Sequence, residues 1–280
     1  MQLIEQLKAF VEQHPRLTVI TGAGCSTASG IPDYRDSDGS WKRGNQPVQG
    51  PDFERHHASR QRYWARSMRA WPAFSVATPN QTHFALTDLQ RQHRVDTLIT
   101  QNVDGLHQRA GTDGVIELHG SLAQVRCLDC GSIYQRDWMQ TALEQLNPDF
   151  IAYVSELRPD GDAELHSVDY TTLRVPVCPD CNGILKPAVV FFGDNVRQPV
   201  VDSCHAAVES CDAVLCVGTS LMVYSSFRFV RHAHRLGKPI AAINLGATRA
   251  DGLLSLKVAA RCDVALPKLL NALTTINAAP

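Results

Sequence analysis

The sequence predicts an α/β fold: a Rossmann-like parallel sheet with helices on both faces, plus a smaller lobe. Three observations lead there. Five short apolar runs end in glycine or polar residues, helical stretches lie between some of them, and two long segments without strong strands interrupt the alternation. At 280 residues and 44% hydrophobic content, the chain can bury a substantial core as one large domain or two modest ones.

The first element is a helix. Leu3, Ile4, Leu7, Phe10 and Val11 recur at helical spacing among Glu5, Lys8, Glu12 and Gln13, and His14-Pro15 closes the run. The segment lacks the basic start and apolar stretch of a secretory signal. The runs 17–21, 97–100, 115–118, 213–217 and 240–243 read as strands buried on both faces, as in a parallel sheet. Stretches 200–210 and 226–236 read as helices between them. The strand ends carry GAG, QNVD, HG, GTS and NLG, and ligands of such folds bind at the carboxyl ends of strands.

Residues 1–42, 95–122 and 185–280 are assigned to the sheet-bearing lobe. Residues 43–94 read as a helical insertion, and 123–184 as a cysteine-bearing module; together they make the smaller lobe.

Charge narrows the function. Twenty-seven basic and 28 acidic residues leave a net charge of −1, which argues against a dedicated nucleic-acid binder. The longest apolar runs, 187–192 and 213–217, are too short to span a bilayer. The expected setting is the cytoplasm, where thiols stay reduced. The sequence does not fix an oligomeric state, and a monomer is compatible with it.

Nine cysteines, an odd number, exclude a fully paired disulfide framework within one chain. Four form two C-x2-C pairs, Cys127/Cys130 and Cys178/Cys181, each with a glycine soon after. Each knuckle offers two sulfurs from one tight turn, and two knuckles complete a tetrahedral Zn²⁺ shell with no open position. The site is expected to be structural. Two unrelated thiol pairs, or a redox motif in one of them, are the bland alternatives. Cys204, Cys211 and Cys216 read as core fillers.

The loop after the first strand, TGAGCSTASG, suits a pyrophosphate: glycine lets the backbone approach, and helical N–H groups meet the charge. The pattern is G-x-G-x-x-T, lacking the third glycine of the dehydrogenase fingerprint. A plain strand-to-helix turn is the bland alternative.

The longer stretch GAGCSTASGIPDYR resembles the signature of the sirtuins, the NAD-dependent protein-lysine deacylases. The resemblance continues in order through TQNVD (100–104), LHG (118–120), the two knuckles, KP (186–187), VVFFGD (189–194), GTSL (218–221), IN (243–244) and CD (262–263). Segments such as RQRYWAR (60–66), AWP (70–72), CLDCG and RPDGD are similar to the class II branch, and the short N-terminus resembles a bacterial member. Tyr34, Val103, Met222 and Asp194 depart from the commoner Phe, Ile, Gln and Glu.

The resemblance implies a reaction. The nicotinamide–ribose bond of NAD breaks, ADP-ribose is transferred to the acyl oxygen of an acyl-lysine, and lysine, nicotinamide and O-acyl-ADP-ribose result. It further implies His119 as the base, with Asn102 and Asp104 as catalytic partners. Gly22, Ala23, Gly24, Thr27, Asp33, Tyr34 and Arg35 would line one side of NAD, joined by Gln101, Asn102, Val103 and Asp104. Gly218, Thr219, Ser220, Asn244, Leu245, Gly246 and Cys262 would hold it from the other side. Asp33 and Arg35 could instead pair and stiffen the loop. An extended acyl-lysine peptide would add as a strand beside Val190, Phe191, Phe192, Gly193 and Leu221.

Tyr63 and Arg66 share a helical face. The pair resembles the Y-x-x-R that recognises acidic acyl groups in one sirtuin class, so Arg66 is expected to meet an acyl carboxylate. A solvated face in an Arg-rich stretch is the alternative. Competing functions are protein mono-ADP-ribosyl transfer at the same NAD site, a zinc-ribbon binding module, and an NAD-dependent dehydrogenase.

Overall fold

The computed structural model describes residues 2–34, 48–158, 160–166 and 168–274. In chain order the elements begin α1 (Gln2–Gln13), β1 (Leu17–Thr21), α2 (Gly50–Arg55), α3 (His57–Ser75), α4 (Gln81–Arg91), β2 (Val95–Thr100), α5 (Leu106–Arg109) and β3 (Ile116–Glu117). Next come β4 (Gly120–Cys127), β5 (Ile133–Gln135), α6 (Arg136–Leu146), β6 (Tyr153–Leu157), β7 (Ala163–His166) and β8 (Leu185–Val189). The chain then adds α7 (Gln198–Ser210), β9 (Ala213–Val217), α8 (Tyr224–Arg235), β10 (Ile240–Ile243), β11 (Leu256–Val258) and α9 (Cys262–Thr274).

Six strands form the main sheet in the order β11-β10-β9-β1-β2-β3, and every pairing is parallel. The five expected strands are all present, with β2 starting earlier than expected; β11 is an addition. Alternate residues of each central strand feed opposite cores, as a pleated strand covered on both faces requires. Leu17, Val19, Leu215, Val217, Ala241 and Ile243 pack with α1, α4 and α9 on one face. Ile20, Val214, Cys216, Ile240 and Ala242 pack with α7 and α8 on the other.

The smaller lobe has its own core. Trp64, Met68, Val125, Met139, Leu143 and Leu185 gather there between α3, α6 and the antiparallel sheet β5-β4-β8. Two boundaries differ from the expectation. Helix α4, counted with the 43–94 insertion, buries Ala85, Leu86 and Leu89 in the main-sheet core. Strand β8, counted with the sheet lobe, pairs antiparallel with β4 next to the knuckles. Both were misplaced because an apolar face does not state which of two cores it joins. Among the described residues, no helix is long and apolar enough to cross a membrane.

Candidate active site

A cavity of about 770 Å³ lies along the carboxyl ends of the main-sheet strands and reaches toward the smaller lobe. Its size suits a nucleotide-sized ligand.

The glycine loop forms its first wall. After β1 the backbone makes two short 3₁₀ turns, Ala23–Cys25 and Thr27–Ser29. Gly24 N–H donates to the Gly218 carbonyl at 2.9 Å. A Cβ on Gly24 would lie 2.8 Å from that oxygen, so the two loops meet backbone to backbone and only glycine fits. Asn80 caps α4 by accepting from Thr82 N, while its amide donates to the Cys25 carbonyl and Ser29 Oγ, which pins the loop from behind.

Gln101, Asn102, Val103 and Asp104 follow β2 and form the floor. The Gln101 amide bridges the Thr21 carbonyl and Thr219 Oγ1 at 3.0 and 2.9 Å, tying three strand ends together. Asn102 Nδ2 donates to the Gly22 carbonyl and Ser26 Oγ, both at 3.1 Å. Asp104 accepts from Ser26 Oγ at 2.6 Å and from Leu106 N at 2.9 Å. Burial raises its carboxyl above the usual range, and those two hydrogen bonds pull it back.

His119 follows β3. Its Nδ1 lies 3.0 Å from the Gln101 carbonyl, and its Nε2 lies 2.8 Å from Ser225 Oγ at the start of α8. A carbonyl only accepts, so Nδ1 carries the proton and Nε2 keeps its lone pair, with Ser225 donating to it. Burial, helped by the Arg228 charge, lowers the imidazole to about 4. The ring is therefore neutral near pH 7, with its basic nitrogen toward the cavity wall that Ser225 and Arg228 also line.

The opposite wall is Gly218, Thr219, Ser220 and Leu221 after β9, and Asn244, Leu245 and Gly246 after β10. Cys262 closes that end, its thiol toward the Ile243 carbonyl. The Cys25 thiol, by contrast, turns into the core toward the Val217 carbonyl.

The cavity thus gathers Gly22, Ala23, Gly24, Thr27, Asp33, Tyr34, the floor residues, His119, Val190, Phe191, Phe192, Gly193 and the opposite wall. Arg35 lies outside the described residues. Tyr63 and Arg66 are not on the cavity wall. Tyr63 is a core aromatic, edge-on to Phe53, Trp64 and Phe191 at ring distances of 5.5, 5.1 and 5.2 Å. Arg66 is buried, 2.9 Å from the buried Asp162 carboxylate, and its Nε donates to the Ala163 carbonyl. The guanidinium expected to meet an acyl carboxylate already has one. Ser26, Asp160, Ser225 and Arg228 also line the cavity and were not anticipated.

The knuckles meet at the far end of the smaller lobe. Cys127 and Cys181 sulfurs are 3.5 Å apart, and Cys130 and Cys178 are 3.7 Å apart. Tetrahedral zinc with bonds of about 2.3 Å needs sulfurs about 3.8 Å apart, so the four thiols fit one ion.

Residues 22–225 match the Sir2 family. The chain belongs to that family. It is 54% identical over 260 residues to an NAD-dependent protein deacetylase of Xanthomonas axonopodis pv. citri (strain 306), covering 93% of this chain and 88% of that protein. It is 44% identical over 270 residues to the NAD-dependent protein deacylase Sirt4 of Drosophila melanogaster, covering 96% and 86%. Among solved structures, "Sir2-p53 peptide-NAD+" superposes with a TM-score of 0.76 at 27% identity, covering 96% of this chain and 98% of that one.

Proposed function

We propose that the protein removes acyl groups from protein lysines and consumes NAD in doing so. The observation that carries the reading is His119: a neutral imidazole with a basic Nε2, between two glycine loops built to hold an anionic ligand. NAD, when bound, supplies the nicotinamide–ribose bond that breaks and the ADP-ribose that accepts the acyl group.

The chain's own residues then have defined tasks. Gly22, Ala23, Gly24 and Thr27 face the phosphates with backbone and hydroxyl groups. Gly218, Thr219 and Ser220 close on them from the other loop, and Asn244, Leu245, Gly246 and Cys262 receive the adenosine end. Gln101 and Asn102 orient the ribose, Asp104 holds the nicotinamide side of the floor, and Asp33 and Tyr34 cover it. His119 takes a ribose hydroxyl proton onto Nε2 after Ser225 gives way. An extended peptide pairs beside Val190–Gly193 and Leu221, and the solved Sir2 chains bound to peptide support that kind of substrate. Cys127, Cys130, Cys178 and Cys181 hold one structural zinc ion. The reading includes a cytoplasmic setting.

Acyl preference follows from Arg66. Because Arg66 is buried off the cavity wall and already paired with Asp162 and Glu164, neutral acyl groups such as acetyl are favoured over succinyl or glutaryl. The test is nicotinamide release from NAD with acetyl-, succinyl- and glutaryl-lysine peptides, for the wild type and His119→Ala. We expect acetyl-peptide-dependent release, reduced about 10²-fold or more by the substitution. Undiminished release would remove His119 as base, and a heavier protein in place of O-acyl-ADP-ribose would mean ADP-ribosyl transfer.

A further inference from the structure

Where α7 packs beside α8, three metal-ligating side chains that belong neither to the cavity wall nor to the cysteine cluster converge. His205 and Glu209 are four residues apart on α7, hence on one face one turn apart. His232 comes from α8, which packs beside α7. The two imidazole rings stand edge to face at 4.7 Å, and His232 Nε2 is 3.0 Å from a Glu209 carboxylate oxygen. One ligand atom from each of the three lies within 4.8 Å of the other two.

We propose that His205, Glu209 and His232 form a second metal site, tridentate and specific for a divalent transition ion of the zinc, nickel or cobalt kind. Two imidazoles and one carboxylate are the donor set such ions prefer, whereas hard cations want more oxygen ligands than are present. The His205 ring is fixed edge-on against Phe229 at 5.1 Å, so its direction is set by packing. His232 already turns Nε2 toward Glu209, while Arg235 donates to Nδ1 at 3.5 Å, so a metal on Nε2 moves the ring proton to Nδ1 and displaces that exposed guanidinium. Glu209 is the mobile member: its side chain is 59% exposed, so it can turn a hydrogen bond to His232 into a shared ligand contact. Three protein ligands leave open positions, unlike the closed shell at the four cysteines.

The site would staple α7 to α8, the helix whose first turn carries Ser225 against His119.

The test uses full-length, untagged protein with its cysteine site loaded with zinc. Ni²⁺ and Co²⁺ are titrated by calorimetry, with the cobalt absorption spectrum recorded alongside. The expected result is one added ion per chain, with a cobalt spectrum free of thiolate charge transfer. Binding should weaken about tenfold or more in His205→Ala and in His232→Ala, and less in Glu209→Gln. Zinc content and thermal unfolding without added ion should match the wild type in each variant, which separates a lost ligand from a lost fold. No added ion in the wild type, a thiolate spectrum, or undiminished binding in both histidine variants would overturn the proposal.

Discussion

The sheet lobe and the smaller lobe hold their loops by different means. In the sheet lobe the glycine loops touch backbone to backbone, Gly22 N to the Val217 carbonyl, Gly24 N to Gly218 and Gly218 N to Ile243, with the Asn80, Gln101 and Asn102 amides bracing them. In the smaller lobe the contacts are side chain to side chain. Four sulfurs converge, Arg66 meets Asp162, and the Arg136 guanidinium lies 5.6 and 4.8 Å from the Trp64 and Trp71 rings. Where the Gly24 and Gly218 loops cross, a Cβ on Gly24 would clash, so only backbone makes that contact. The smaller lobe has an apolar core of its own, and these side-chain cross-links add to it.

The contrast can be broken experimentally, and the largest effect should come from zinc. Removing it with a chelator, or replacing Cys127 by Ala, should unfold the smaller lobe, since structural zinc contributes on the order of 10 kcal/mol to such sites. Near-ultraviolet circular dichroism should lose the Trp64 and Trp71 signals while the helical far-ultraviolet signal of the sheet lobe largely persists. A small change would mean that the apolar core of α3 and α6 suffices. Next in size is Asp162→Ala, which leaves the buried Arg66 guanidinium only the Ala163 carbonyl and Glu164 at 3.5 Å, and should cost about 3 kcal/mol in denaturant unfolding.

In the sheet lobe the sensitive change is a single methyl group. Gly24→Ala forces Cβ against the Gly218 carbonyl, 2.8 Å away, and should cost about 1–3 kcal/mol while raising the KM for NAD. The mildest test is pH. Burial holds His119 at about 4, so the base form is full above that value and lost as pH falls through it. The acid limb of kcat/KM for NAD should therefore fall well below the value of about 6.5 set by an unperturbed histidine. A limb near 6.5 would mean that the imidazole is as hydrated as a surface one.

Much of this was legible in the residues. Strands buried on both faces announce themselves as apolar runs, so β1, β9 and β10 were readable, and strand ends carrying GAG, QNVD, HG and GTS gathered in one cavity. The knuckle spacing likewise pointed to one tetrahedral cluster. Other features depend on approaches between distant segments. Arg66 read as an acyl-carboxylate ligand because Asp162, the partner it actually meets, lies far along the chain. Ser225 lies just ahead of the stretch read as a helix, 226–236, and nothing in that pattern announces its contact with His119. His232 sits in the 226–236 helical stretch with no motif around it, yet α7 brings Glu209 and His205 beside it. Strand β11 is three residues long, too short to show a period.

The strand order also has a consequence for synthesis. β1 lies at the centre of the sheet between β2 and β9. β2 is complete by Thr100, but β9 begins only at Ala213. At a translation rate of about 5–20 residues per second, the growing chain carries β1 with one open edge for on the order of ten seconds. An unpaired apolar strand is then available to other nascent chains. The glycine loop shares that wait, because the Gly218 carbonyl it leans on follows β9. NAD can steady the young protein only after most of the polypeptide has left the ribosome.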